Sequence, residues 1–248
     1  MLDFLKNHPF AVEAFFERSI VVTFAVPKEE VAALIPECLK PDAFNDRWAF
    51  IAVAMVSTRK LRPKGWPGWM GNDFFLIGYR AFVRYTSHSG KNLRGLYILK
   101  SETNKRKMQI AGNIFTHYDY TTTDITERPT SGTIHISSQQ SGFNVELSHA
   151  PTEDIFLPPS SPFATWKEAR RFAGPLPFTF TYNPANQKVL IIEGVRQYWQ
   201  PFPVKVLNYN FEFLKQLNVS TPVLASAFMV ENIPYYWKKG KTEKWIGH

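Results

Sequence analysis

The chain of 248 residues has a single cysteine, Cys38. An internal disulfide is therefore excluded, and a reducing compartment is the natural expectation. No stretch approaches the ~20 consecutive apolar residues of a membrane helix. The first residues lack the basic flank, apolar run and small-residue cleavage site of a secretory leader. A soluble, cytoplasmic protein with no membrane partner is expected. No glycine-rich run joins a strand to a helix, so no phosphate loop is expected, and there is no GxSxG elbow. The six histidines, His8, His88, His117, His135, His149 and His248, form no HxH or HxxxH pair. His117 and Asp119 alone make no metal site, so neither metal nor cofactor is expected. Lysine is missing from one long stretch: after Lys107 the next is Lys167.

Acidic residues are also in deficit, 21 against 29 lysines and arginines, giving a net charge of +8. That balance favours acidic partners. The cations are dispersed, however: Arg59, Lys60, Arg62 and Lys64; Lys105 to Lys107; Lys238, Lys239, Lys241 and Lys244. No recognised motif accompanies them, which argues against a nucleic-acid site. A nucleic-acid or acidic-surface binder stays as an alternative resting on charge alone.

What is present describes a globular, β-rich α+β chain of one domain, 44% hydrophobic and 20% charged, with 18 prolines marking many turns. Residues 8–17 read as an N-terminal helix. Arg18 to Val26 is β-branched and reads as a strand, followed by a short helix after Pro27 with Val31, Leu34 and Ile35 on one face. Trp48 to Val56 is apolar on both faces, as in a doubly covered strand. Phe74 to Tyr85 is a strand with Arg80, Phe82 and Arg84 on one face. Leu96 to Leu99 leads to a helix over Asn104 to Phe115, with a predicted buried stripe of Met108, Ala111 and Phe115 joined by Ile110 and Ile114. A hairpin is predicted at Thr133 to Ser138 and Phe143 to His149, a proline-rich loop at Asp154 to Pro162, and a helix at Trp166 to Phe172. Strands follow at Phe178 to Tyr182, Val189 to Trp199, Val204 to Phe213 and Pro222 to Glu231. The basic tail, 238–248, reads as mobile.

The densest polar string is Thr116-His117-Tyr118-Asp119-Tyr120, which puts an imidazole, two phenols and a carboxylate within four residues. At strand pitch such a string alternates between two sides. Glu193 shares a face with Val189, Ile191 and Val195; if that face is inward, its carboxyl would be poised for acid–base work. Arg196 then points to the opposite face. Glu102 closes the strand before the central helix. Trp66-Pro67-Gly68-Trp69-Met70-Gly71 is an exposed aromatic loop, suited either to cover an apolar pocket or to pack on its own sheet. Cys38, at a helix C-terminus, reads as structural.

The run from Thr23 to Leu39, a strand feeding a short helix that ends in Leu34-Ile35-Pro36, resembles the acetoacetate-decarboxylase-like superfamily. The strands Trp48 to Val56 and Phe74 to Tyr85 and the unit Leu96 to Phe115 follow in that superfamily's order. The segment Trp166 to Pro177 resembles its uncharacterised bacterial YqjF-like branch, a domain of unknown function. The likeness covers residues 15 to 235. It implies a cone-like β-barrel with an apolar interior and a few short helices. In the decarboxylases a lysine just after the central helix forms a Schiff base, with its pKa lowered by a second lysine. Those lysines should fall within His117 to Tyr120, where there is none. The carboxylate-binding arginine should fall near Ala25 and a glutamate near Leu76, and neither is present.

The resemblance thus implies a pocket with other walls: Arg80, Arg84, Tyr118 and Glu193 as ligand-binding residues, and His117, Asp119 and Tyr120 as catalytic candidates. The first expectation is a protein that binds a small, partly apolar ligand, which the arginines would suit to an acidic one, without Schiff-base decarboxylation. The alternative is an enzyme that uses His117 as general acid or base on a carbonyl compound.

Overall fold

The computed structural model describes residues 4–148, 157–174 and 176–247. Its strands are β1 (Val12–Pro27), β2 (Lys40–Pro41), β3 (Trp48–Pro63), β4 (Asn72–Thr86), β5 (Asn92–Thr103), β6 (Tyr120–Thr122), β7 (Thr126–Pro129), β8 (Thr133–Ser138), β9 (Phe143–Ser148), β10 (Phe178–Asn183), β11 (Lys188–Arg196), β12 (Phe202–Pro203), β13 (Lys205–Phe211), β14 (Val223–Trp237) and β15 (Lys241–Lys244). Four helices, α1 (Lys28–Ala32), α2 (Arg106–Phe115), α3 (Trp166–Ala173) and α4 (Glu212–Gln216), lie among them. The architecture is predominantly β, as expected.

Strands β1, β3, β4 and β14 run for fifteen or sixteen residues each, about three times the usual strand. Sheets of such strands twist and curl. Here the large sheet runs β12-β14-β1-β3-β4-β5-β10-β11-β15. Its curl brings β11 to β14 over only three residue pairs, Gly194 to Arg196 against Trp237 to Tyr235. The result is a cone-like wall, not a regular closed barrel. A second sheet, β13-β9-β8-β7, covers one side.

Strand alternation sorts the wall's side chains. Ile20, Val22 and Phe24 of β1, Ile51, Val53 and Met55 of β3, and Ile77, Tyr79 and Ala81 of β4 are buried together with Ile134, Ile136, Phe143, Val145 and Leu147 of the second sheet. The alternate residues, including Val21, Ala52, Ala54, Val56, Phe74, Leu76 and Phe82, face a cavity. Both faces of β3 are thus covered, which is why Trp48 to Val56 has no polar alternation.

Three expectations are corrected. Residues 8–17 are not a helix: after a left-handed turn at His8 the chain enters β1 at Val12. Val12 to Phe16 pair with Trp237 to Ile233 of β14, and β3 lies on their other side. Ladder bonds on both edges outweigh the helical preference of so short a segment. On α2, Met108 is buried and Ala111 and Phe115 line the cavity, but Ile110 and Ile114 are exposed. Ile110 sits about 200° around the helix from Met108, on the opposite side. The tail is not loose: β15 pairs with β11 from Lys188 to Ile191, and its Glu243 is buried. His149 and Asp154 to Phe156 lie outside the described residues.

Candidate functional site

The cavity enclosed by the curled sheet and α2 has a volume of about 300 Å³. Its walls are mostly apolar, from Phe74, Leu76 and Phe82 of β4, Leu96 and Ile98 of β5, Met108 of α2 and Phe228 of β14. Into this apolar space projects Arg80. Its side chain is half-buried, and the walls around it desolvate the guanidinium. Burial pulls its pKa below the ordinary value, while the phenols of Tyr120, Tyr235 and Tyr118 favour the charged form. No carboxylate pairs with it among the described residues, and its Nε has no hydrogen-bond partner there.

Local sequence explains how so large a head fits. Gly78 precedes Arg80 by two residues on the same face, and a Cβ there would lie 3.1 Å from the Arg80 Nε. The side chain occupies the space that the glycine leaves. On the far wall, Gly112 of α2 lets the Tyr120 ring approach to 2.3 Å of where a Cβ would be. Asn113 then fixes Tyr120: its Oδ1 accepts from the Tyr120 N–H at 2.7 Å and its Nδ2 donates to the Tyr120 carbonyl at 3.0 Å.

The polar string is a bend and not a strand before Tyr120, and it sends its residues to different sides. Tyr118 and Tyr120 face the cavity, with ring centroids 6.1 Å apart. Burial pushes the Tyr120 phenol up to about 12 and raises that of Tyr118 further. Both are neutral hydrogen-bond donors at physiological pH. His117 is half-buried and has a partner of its own, and Asp119 is exposed in a left-handed backbone conformation. Neither is among the residues lining the cavity.

The remaining predicted residues are dispersed. Arg84 donates from Nε to Asp42 at 2.6 Å, and Arg94 holds the other carboxylate oxygen at 2.6 Å. Glu193 is half-exposed and pairs with Lys238 at 2.9 Å. The cavity takes neither; the structure brings together only Arg80, Tyr118 and Tyr120. Glu102 is buried and pairs with Lys100 at 2.7 Å. Cys38 is buried, which pushes its thiol up to about 11, a structural position and not a nucleophile's.

Three lining groups escaped the sequence reading. Arg196 also faces the cavity: it hydrogen-bonds Tyr235 and stacks over Trp199 at 4.9 Å. Tyr235 itself packs against Phe16 at 4.9 Å and has its pKa raised by burial. His8 is buried beside the cavity with an unpartnered Nδ1 among the described residues, and burial lowers its pKa. Alternation sets Arg196 on the side opposite Glu193, and in the structure that side is the interior. No lysine lines the cavity. Among the described residues no group of three or more His, Cys, Asp or Glu could hold a metal ion. No helix of the described chain is long and apolar enough to cross a membrane.

Residues 14–241 match one protein-family model, DUF2071, described as an uncharacterised conserved protein. The chain belongs to the DUF2071 family. No curated protein matches it. Solved structures show the kinship of its fold. Acetoacetate decarboxylase from Legionella pneumophila superposes with a TM-score of 0.64 at 8% identity, covering 95% of this chain and 88% of that one. The enduracididine biosynthesis enzyme MppR, complexed with pyruvate, gives 0.60 at 10%, covering 96% and 92%. An acetoacetate decarboxylase-like enzyme from Sphingomonas wittichii gives 0.60 at 11%, covering 98% and 96%. At such identities the likeness is one of fold. This DUF2071 chain therefore has the acetoacetate-decarboxylase-like fold, and its own residues must speak for its chemistry.

Proposed function

We propose that the cavity binds a small organic anion with an apolar body, its anionic head held by Arg80, and that it does so without a Schiff base. One observation carries this reading: Arg80 places a guanidinium inside an apolar enclosure with no carboxylate partner among the described residues. A buried charge without a counter-ion is costly, and an anionic ligand would relieve it. Tyr118, Tyr120 and Tyr235 surround the same guanidinium and can donate to an anion's remaining oxygens. The apolar walls suit the rest of such a molecule, and about 300 Å³ has room for the body of a small organic acid. That MppR was captured with pyruvate in the same fold supports a carboxylate as the head. The absence of lysine from the lining residues supports binding without covalent capture.

The test is calorimetric titration with pyruvate, acetoacetate, butyrate and hexanoate, each beside its neutral amide. The acids should bind and the amides should not. Arg80→Met should weaken acid binding by about tenfold or more, as expected for loss of a charged hydrogen bond. Unaltered affinity in Arg80→Met would defeat the proposal. Borohydride reduction in the presence of acetoacetate should leave the protein mass unchanged; a covalent adduct would restore Schiff-base chemistry. The reading with His117 as general acid or base on a carbonyl compound has less support, since His117 and Asp119 are not among the lining residues. Charge alone supports a nucleic-acid role.

A further inference from the structure

The connection between β3 and β4 carries Trp69, 84% exposed, with Trp66 and Met70 also exposed. Its two ends, Pro63 and Asn72, both line the cavity, so this loop stands at the cavity's rim. The cavity is also bordered by α2, on which the 3-10 turn Leu5–Asn7 packs. There Ile110 and Ile114 are exposed on the outer side of α2, and Phe4 is exposed beside the turn. The segment from Phe10 to Ala11 links the two elements: Phe10 meets Phe115 of α2 at 5.2 Å, and the Ala11 carbonyl accepts from the Lys64 N–H at 2.8 Å. Six large apolar side chains thus project into solvent from the elements that border the cavity.

Cations accompany them. Lys60, whose stem lies along Gly68, and Lys64 flank the tryptophan loop. Lys105, Arg106 and Lys107 start α2, and Lys6 lies in the turn packed on it. None of these six makes an ion pair among the described residues. The carboxylates near the loop, Glu13, Glu17 and Asp73, are already held by Arg62 and Arg59. The surface therefore combines exposed indoles and aliphatic groups with uncompensated positive charge.

We infer that this rim docks on an anionic lipid bilayer, so that the cavity opens toward the membrane surface. Tryptophan favours the headgroup boundary, aliphatic groups enter the acyl edge, and cations meet anionic headgroups. A second copy of this chain fits less well, because an isologous contact would set the six cations against one another. Nucleic acid would use the cations but leave Ile110, Ile114 and Phe4 without apolar cover. The sequence expectation of no membrane partner concerned spanning segments, whereas this contact is peripheral. It stands whether or not Arg80 binds an anion.

The test is co-sedimentation of the full chain with phosphatidylcholine vesicles, with and without phosphatidylglycerol, at low and raised salt. Binding should require phosphatidylglycerol and weaken with salt. Trp69→Ser with Ile110→Ser, both at exposed positions, should reduce it at least about fivefold. Lys64→Glu should cost about fivefold per unit of charge lost. Indole emission should be quenched by brominated acyl chains and lose that quenching in Trp69→Ser. No binding at low salt, equal binding to neutral vesicles, or binding that survives the double substitution overturns the inference. So does a concentration-dependent dimer, or DNA binding, that needs these residues while vesicles fail to bind.

Discussion

A guanidinium taken out of water without a counter-ion costs several kcal/mol, and Arg80 has three phenols around it but no carboxylate among the described residues. The ligand-free protein should therefore gain stability from Arg80→Met, by about 1–2 kcal/mol in chemical denaturation, even as anion binding is lost. A fall in stability would assign the guanidinium a structural role instead. Gly78→Ala offers a gentler probe. The new methyl would stand 3.1 Å from the Arg80 Nε and 3.3 Å from its Nη2. It should displace the arginine head and weaken acid binding while leaving the fold intact, read by titration beside a thermal melt. Arg80 was legible in the sequence from strand alternation, and Tyr118 and Tyr120 from their position just after α2. Arg196 was not, because alternation says which residues share a side but not which side is inward. Glu193 would have reached the interior only if its side faced inward, and the structure places Arg196 there instead. His8 gave no signal at all: its position depends on a left-handed turn and on contact with Gly240, more than two hundred residues away.

Elements far apart in sequence are held by a few ionic contacts. Asp42, fully buried, joins Arg84 of β4 to Arg94 of β5, and Arg94 reaches on to the Phe172 carbonyl of α3 at 3.0 Å. Asp42→Ala leaves two half-buried guanidinium groups without their partner. A loss of about 2–4 kcal/mol is expected, less than for a wholly buried triad because both arginines keep some water. Urea denaturation would measure it, and a loss under about 0.5 kcal/mol would mean water replaces the carboxylate. The clasp at β15 is sensitive to pH. Burial alone would raise the Glu243 carboxyl, but the Lys241 ammonium, the His88 N–H and the Tyr85 hydroxyl outweigh it and hold it below its ordinary value of 4.5. A carboxyl with a depressed folded pKa stabilises above its unfolded value and loses that contribution as pH falls through the folded one. Hydrogen exchange of 241–244 should therefore be slow near pH 7 and accelerate below about pH 4.5, ahead of global unfolding. Glu243→Gln should make that exchange fast and less dependent on pH. The sequence showed most strands but missed this one, because Lys241-Thr242-Glu243-Lys244 has no apolar alternation and is ordered by its partners. The misread helix at 8–17 has the same cause: β14, the strand that pairs with it, begins only at Val223.

For the whole molecule, the wall of long strands separates two tasks. One side packs on the second sheet and supplies stability; the other lines a cavity whose residues can change without disturbing that core. This separation accounts for a fold shared with acetoacetate decarboxylases at 8 to 11% identity, since alternation decides which side a residue faces and leaves its chemistry free. It also makes a gain of chemistry testable. Tyr118 faces the cavity and interacts electrostatically with Arg80. A lysine in its place would be desolvated and repelled by the Arg80 charge, and both effects lower an ammonium pKa, by up to several units. Tyr118→Lys should then hold a free amine near neutral pH and form an imine with pyruvate. Borohydride should trap that imine as an adduct on residue 118, read by peptide mass, while the natural sequence gives none. Tyr118→Lys combined with Arg80→Met should need a higher pH for the same yield, because removing the neighbouring charge returns the amine toward its usual pKa. Equal yields at equal pH in the single and double variants would show that Arg80 does not govern the electrostatics of this wall.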